Sequence, residues 1–231
     1  MQRQRNQLGG QVTSDLARSI EAALHDGRQV LWLLSGGSAV DIAAKAAKAL
    51  PDTGMKNVTI SLIDERFGPV GHPESVWQQL EEAGFAVTGA KLVPVLNGKS
   101  LEETAAAWEK AMREAFETCD YKIGLLGIGP DGHTAGILPH SPASSYSGSK
   151  LVFAYQSEAI PGVRPAFERI TLTRHALSQL DEIVAPAMGE SKREALENLQ
   201  RELPVDEQPA QILKQAKELY VYNDAIKGES A

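Results

Sequence analysis

The chain has a single cysteine, Cys119, so it can form no internal disulfide, and with no second thiol beside it a metal site is not suggested either. Burial as packing filler is the expected role. No long apolar run exists: stretches such as VLWLL at 30–34 fall far short of the roughly 20 residues that cross a bilayer. The opening MQRQRNQLGG is polar and no apolar segment follows it, so no secretory signal is read there and a cytoplasmic location is expected. Positive charge is also in deficit. The formal net charge of −7 argues against nucleic acid or an anionic membrane surface as partner, and any anionic ligand must find a locally basic pocket. No G-x-S-x-G element marks a serine hydrolase, and His133 with His140 lacks the spacing and third ligand of a zinc site.

What is present is a recurring strand–loop–helix pattern. A helix over 11–26 is followed by a strand at 29–34, and after Ser35-Gly36-Gly37-Ser38 a helical period runs to Pro51. The pattern continues with a strand at 58–63 and helix 73–83, then a strand at 91–96 and helix 101–118. Strands at 122–128 and 151–155 follow, the first with a long loop after it. Strand 169–173 leads to helix 174–180, strand 182–188 leads to helix 190–202, and strand 219–223 closes the series. Short apolar strands alternating with helices predict an α/β fold: a doubly wound, mostly parallel, Rossmann-like sheet with helices on both faces. All 231 residues are read as one domain, with 1–10 as a flexible tail. A monomer or small homo-oligomer is expected.

In such sheets ligands bind beyond the carboxyl ends of the strands. Four motifs fall there. Ser35-Gly36-Gly37-Ser38 joins a strand to a helix and suits a phosphate, because glycines let backbone N–H groups approach an anion. The same residues also fit a tight turn with Ser38 and Asp41 as a capping-box variant. Asp64-Glu65-Arg66 places three ionisable groups after a strand, although charge runs are usually solvated loop.

Gly127-Ile128-Gly129-Pro130-Asp131-Gly132-His133 contains a formal G-x-G-x-x-G. Pro130 and Asp131 stand where a pyrophosphate would lie, and Pro139 and Pro142 interrupt the helix that should follow, so a dinucleotide site is rejected. Asp131 and Gly132 are favourable turn residues, while His133 is a candidate general base, with a structural histidine as the plain alternative. Gly189-Glu190-Ser191-Lys192 adds a cation at a strand–helix junction. Arg169, at a strand start, belongs at the opposite end of the sheet unless the chain bends. The other histidines, His25, His72, His140 and His175, are read as surface or structural.

With SGGS at 35–38, DER at 64–66, GIGPDGHTA at 127–135, RITLT at 169–173, GESK at 189–192 and PAQIL at 209–213, the sequence resembles the 6-phosphogluconolactonase family, within the group that includes glucosamine-6-phosphate isomerase/deaminase. The resemblance implies a metal-independent, cofactor-free hydrolase of the pentose phosphate pathway that opens a phosphorylated sugar lactone. By the same resemblance, the glycine loop with Arg66 and Lys192 holds the phosphate, Asp64 and Arg169 contribute to substrate binding, His133 activates water, and Asp131 positions the loop.

The isomerase/deaminase branch continues after Asp-Gly-His with an Asn-Glu-Pro segment. Here that segment is Ile137-Leu138-Pro139, and leucine takes no proton. Departures from the lactonase pattern at Phe67-Gly68-Pro69, Ser75-Val76 and Gly136-Ile137-Leu138 allow a different phosphorylated lactone as substrate. A glucosamine-6-phosphate isomerase/deaminase and a non-catalytic sugar-phosphate sensor are the competing readings.

Overall fold

Val30–Leu34 is five consecutive apolar residues, all with no exposed surface, the mark of a strand covered on both faces. In the structure, a computed structural model that describes residues 2–5, 9–51, 54–158 and 166–226, this segment is central strand β2. The other strands are β1 (Gln2–Arg5), β3 (Val58–Leu62), β4 (Asp64–Arg66), β5 (Lys91–Leu92), β6 (Tyr121–Leu125), β7 (Val152–Gln156), β8 (Glu168–Leu172), β9 (Glu182–Pro186) and β10 (Glu218–Tyr222). The helices are α1 (Gly9–His25), α2 (Ala39–Ala49), α3 (Val76–Glu82), α4 (Leu101–Thr118), α5 (Arg174–Leu177) and α6 (Arg193–Leu199).

Seven strands form one parallel sheet in the order β1-β10-β9-β6-β2-β3-β5, with helices packed against it, so the predicted α/β class holds. Helix α4 keeps its predicted bounds because Ser100 and Glu103 close a reciprocal capping box at its start. Cys119 is buried at its end. No described helix is long and apolar enough to cross a membrane.

Several expectations are corrected. Gln2–Arg5, expected within a flexible tail, pairs in parallel with β10, and α1 begins at Gly9. The strand expected over 91–96 stops at Leu92. Val93 N still donates to Ile60 O at 2.8 Å, but Pro94 has no N–H to continue the ladder. The strand expected to run to 128 ends at Leu125, where the glycine-rich turn begins. Helix 174–180 is a single turn, and the helix expected from 190 is a 3-10 turn at Glu190–Lys192 followed by α6.

The largest correction concerns β7 and β8. They leave the main sheet and form a separate antiparallel sheet, β4-β8-β7, with the segment expected to be only a loop at 64–66. Ile63 hinges the two sheets: its N–H donates to Leu34 O at 2.7 Å, and its carbonyl accepts from Leu172 N at 2.8 Å. The small sheet thus stands at the carboxyl ends of β2 and β3.

Truncating the central strand has a calculable cost, since Leu33 is wholly buried. Leu33→Ala is expected to lower stability by about 2–5 kcal/mol in urea denaturation; a loss under about 1 kcal/mol would contradict burial on both faces.

Candidate active site

A cavity of about 260 Å³ opens at the carboxyl ends of β2, β3 and β6, and Ser35, Gly36, Gly37, Ser38, Asp64, Arg66, His133, Arg169 and Lys192 all line it. These are the predicted site residues save Asp131, which lies one step behind, against His133. Segments separated by more than 150 residues in sequence therefore meet in one place.

The Ser35–Ser38 loop leads into α2, an 11-residue helix whose first amides have no intrahelical partner. Gly37 adopts φ of 64°, a turn that a side chain would resist. The capping alternative is not formed: Ser38 makes no side-chain cap bond, and its neighbours' N–H groups stay open to an anion. Ser35 Oγ is buried in the lining and has no hydrogen-bond partner among the described residues.

Asp64-Glu65-Arg66 divides its labour along β4. Glu65 is wholly buried and turns away from the cavity. Its carboxylate accepts from Val76 N at 2.7 Å, Ser75 Oγ at 2.8 Å, Arg66 N at 2.8 Å and Trp77 N at 3.3 Å. It therefore ties β4 to the start of α3. Burial pushes its pKa up, against the opposing pull of those donors. Arg66, fixed beside it, donates from Nη1 to Glu74 O at 3.1 Å, while its buried Nε has no partner among the described residues.

Arg169 reaches the cavity because β8 runs antiparallel to β4, which sets Arg169 directly across from Arg66. The condition set by its place at a strand start, that the chain bend, is met by this antiparallel pairing. Its Nη1 lies 3.9 Å from Asp64 Oδ2, and both side chains are buried. Phe167, a residue that sequence reasoning missed, lies under both guanidiniums, with its ring centroid 5.8 Å from the Arg66 carbon and 5.7 Å from that of Arg169. Lys192 enters from the 3-10 turn before α6; burial pulls its pKa down, and the charge of Asp131 acts in the opposite sense.

The turn after β6 carries Asp131 and His133. His133 Nδ1 lies 2.5 Å from Asp131 Oδ1, which also accepts from His133 N at 3.2 Å. A carboxylate only accepts, so Nδ1 is the donor in this bond, and in the neutral ring that tautomer leaves Nε2 with its lone pair. Gly129 is obligatory here: a Cβ at that position would overlap the imidazole and crowd the carboxylate. No helix follows the turn, consistent with the rejected dinucleotide site. The PAQIL segment supports it from outside, where Ala210 N donates to Gly132 O at 2.9 Å.

The lining also holds residues that sequence reasoning did not select as site residues: Val76, Ile128, Ala135, Gly136 and Leu138. They add apolar side chains and backbone to the lining; Val76, Gly136 and Leu138 stand among the departures from the family pattern noted in the sequence. Of the remaining histidines, His72 bonds to Arg66 O at 2.9 Å and His140 pairs with Asp206 at 3.0 Å, and neither lines the cavity.

Glu65 yields a pH-dependent expectation. Its folded-state pKa is raised, so its contribution to stability is fullest below the unfolded value near 4.5 and declines as pH rises through the folded value. Glutamine offers one acceptor oxygen for these donors, so Glu65→Gln is expected to destabilise by about 1.5–3 kcal/mol. That deficit is expected to shrink as pH increases above 4.5, as followed by urea melts at a series of pH values. A deficit that grows with pH would contradict the assigned balance of burial and hydrogen bonding.

The family model described as glucosamine-6-phosphate isomerases/6-phosphogluconolactonase matches residues 3–221. A 6-phosphogluconolactonase of Pseudomonas putida is 31% identical over 190 residues, covering 80% of this chain and 76% of that protein. One of Bos taurus is 25% identical over 219 residues, covering 90% and 83%. Among solved structures, a 6-phosphogluconolactonase of Shewanella baltica superposes with a TM-score of 0.77 at 21% identity, covering 96% of this chain and 97% of that one. The Trypanosoma brucei 6-phosphogluconolactonase gives 0.77 at 17% identity, covering 97% of each chain. The family model spans nearly the whole chain and the solved structures share its fold: the chain belongs to the glucosamine-6-phosphate isomerase/6-phosphogluconolactonase family.

Proposed function

We propose that the chain hydrolyses 6-phospho-D-glucono-1,5-lactone to 6-phosphogluconate, with His133 activating the attacking water. The chain is a lactone hydrolase of its family, and its relatives named above are 6-phosphogluconolactonases. The observation that carries the mechanism is the oriented His133 imidazole in the same cavity as the Ser35–Ser38 amides, Arg66 and Lys192. The amides, Ser35 Oγ and the Arg66 guanidinium match the oxygens of a phosphate monoester. Arg169, partly offset by Asp64, and the Asp64 carboxylate itself face the sugar.

A lactone is an activated ester, so an oriented water and a neutral imidazole suffice. Nε2 of His133 takes a proton from water as the water oxygen bonds to C1, and the carbonyl electron pair moves onto oxygen. As that pair returns, the bond from C1 to the ring oxygen breaks. The ring oxygen leaves with the proton from His133, and the products are a carboxylic acid and a free hydroxyl. Asp131 stabilises the imidazolium that forms between the two steps. We place the reaction in the cytoplasm, with no cofactor and no nucleic-acid or membrane partner.

The isomerase/deaminase alternative needs a second proton-transferring carboxylate. Leu138 lines the cavity where that branch carries its glutamate, and Glu65 is sequestered among four donors. A sensor would bind ligand without rate enhancement.

Freshly prepared lactone, with the spontaneous rate subtracted, is the substrate for the test. His133→Ala is expected to lower kcat by about 10²–10⁴-fold, and Arg66→Ala to act chiefly through KM. Wild-type hydrolysis no faster than background would overturn the function, and a His133→Ala variant with full kcat would overturn the mechanism. Ammonia release from glucosamine 6-phosphate would instead establish the alternative.

A further inference from the structure

The lactonase chemistry requires donors for the oxygen that becomes negative at C1, and the residues next to His133 have an unusual shape. Thr134 N donates to Ile137 O at 3.3 Å and Ile137 N donates to Thr134 O at 2.7 Å, closing a two-residue hairpin. Its central residues, Ala135 and Gly136, both have positive φ, 55° and 63°, the signature of a type I′ turn. An alanine in that region is strained, so the surroundings must enforce the conformation.

They do so through the two carbonyls. Thr171 Oγ1 of β8 donates to Ala135 O, and Tyr155 Oη of β7 donates to Gly136 O at 2.5 Å. Both carbonyls are thus held by the small sheet. The N–H groups of Ala135 and Gly136 have no acceptor among the described residues, although both residues line the cavity beside His133. Nearby amides are already engaged: Gly129 N donates to His133 O at 2.8 Å, and Ile137 N is used in the hairpin. Gly136 must also be glycine, because a Cβ there would overlap the Asp64 carboxylate.

We propose that the backbone N–H groups of Ala135 and Gly136 form the oxyanion hole, and that Tyr155 and Thr171 are positioning residues that hold the turn in register with His133. This rests on the lactonase reading. As water oxygen bonds to C1, the carbonyl pair localises on the C1 oxygen, where the two N–H groups stabilise it; the pair then reforms the carbonyl as the ring C–O bond breaks. The donors are fixed before substrate arrives, so no reorganisation is needed when charge develops.

The test replaces Gly136 by glycolic acid through suppressor translation, which exchanges its N–H for an ester oxygen and leaves the side-chain positions intact. Hydrolysis of 6-phosphogluconolactone and binding of glucitol 6-phosphate, which has no C1 carbonyl, are measured together. The expected result is a kcat lowered by roughly 100-fold or more, with glucitol 6-phosphate affinity unchanged. Equal kcat for ester and wild type overturns the proposal, as does a loss of glucitol 6-phosphate affinity that matches the loss of rate. An inactive wild type would instead overturn the lactonase reading.

If the ester protein does not fold, Tyr155→Phe decides. It keeps both N–H groups but frees the Gly136 carbonyl, and kcat is expected to fall about 10-fold at unchanged KM. An unchanged kcat, or a change confined to KM, overturns the proposal.

Discussion

The close approach of the His133 imidazole to the Asp131 carboxylate, against a backbone with no side chain at Gly129, is the constraint on which the site depends. It fixes the orientation of the ring, and it requires glycine at position 129 because a Cβ there would eject the imidazole. The turn is braced from outside. Gln208 packs on Gly132 and donates from Nε2 to Ala195 O at 2.6 Å in α6, while Ala210 N holds Gly132 O. The same brace thereby links the His133 turn to the helix that follows Lys192.

A second constraint is electrostatic. The chain carries a formal charge of −7, yet its cavity gathers Arg66, Arg169 and Lys192. Each has a neutral or anionic neighbour: the Glu74 carbonyl accepts from Arg66, Asp64 lies beside Arg169 within the cavity, and the charge of Asp131 acts on Lys192. Glu65 does the mechanical work of joining β4 to α3, so that Arg66 cannot swing out with its strand. Local geometry, rather than net charge, makes the pocket receptive to an anion.

The parallel sheet was legible because buried parallel strands read as continuous apolar runs, as VLWLL does, and because helices with clear caps, such as α4, announce their ends. The Ser35–Ser38 loop and His133 were legible because they fall directly after such strands. The small antiparallel sheet was not. A three-residue strand of the charged sequence Asp-Glu-Arg has no hydrophobic period, and its pairing with β8 comes from a partner more than 100 residues away in sequence. Arg169 could therefore be brought to the site only on the condition that the chain bends, and the pairing of β4 with β8 is that bend. Ala135, Gly136 and Leu138 escaped for a related reason: the type I′ turn places an alanine where sequence preference calls for asparagine, aspartate or glycine, so only tertiary contacts specify it.

The proposed hydrolysis requires that His133 present an unprotonated Nε2 to water. Imidazole ¹⁵N spectroscopy of the neutral form, with His133 assigned by comparison with His133→Gln, measures this directly. The expected spectrum places the proton on Nδ1, held by Asp131, and leaves Nε2 bare. A proton on Nε2 with a bare Nδ1 would contradict the Asp131 bond and remove His133 as the base.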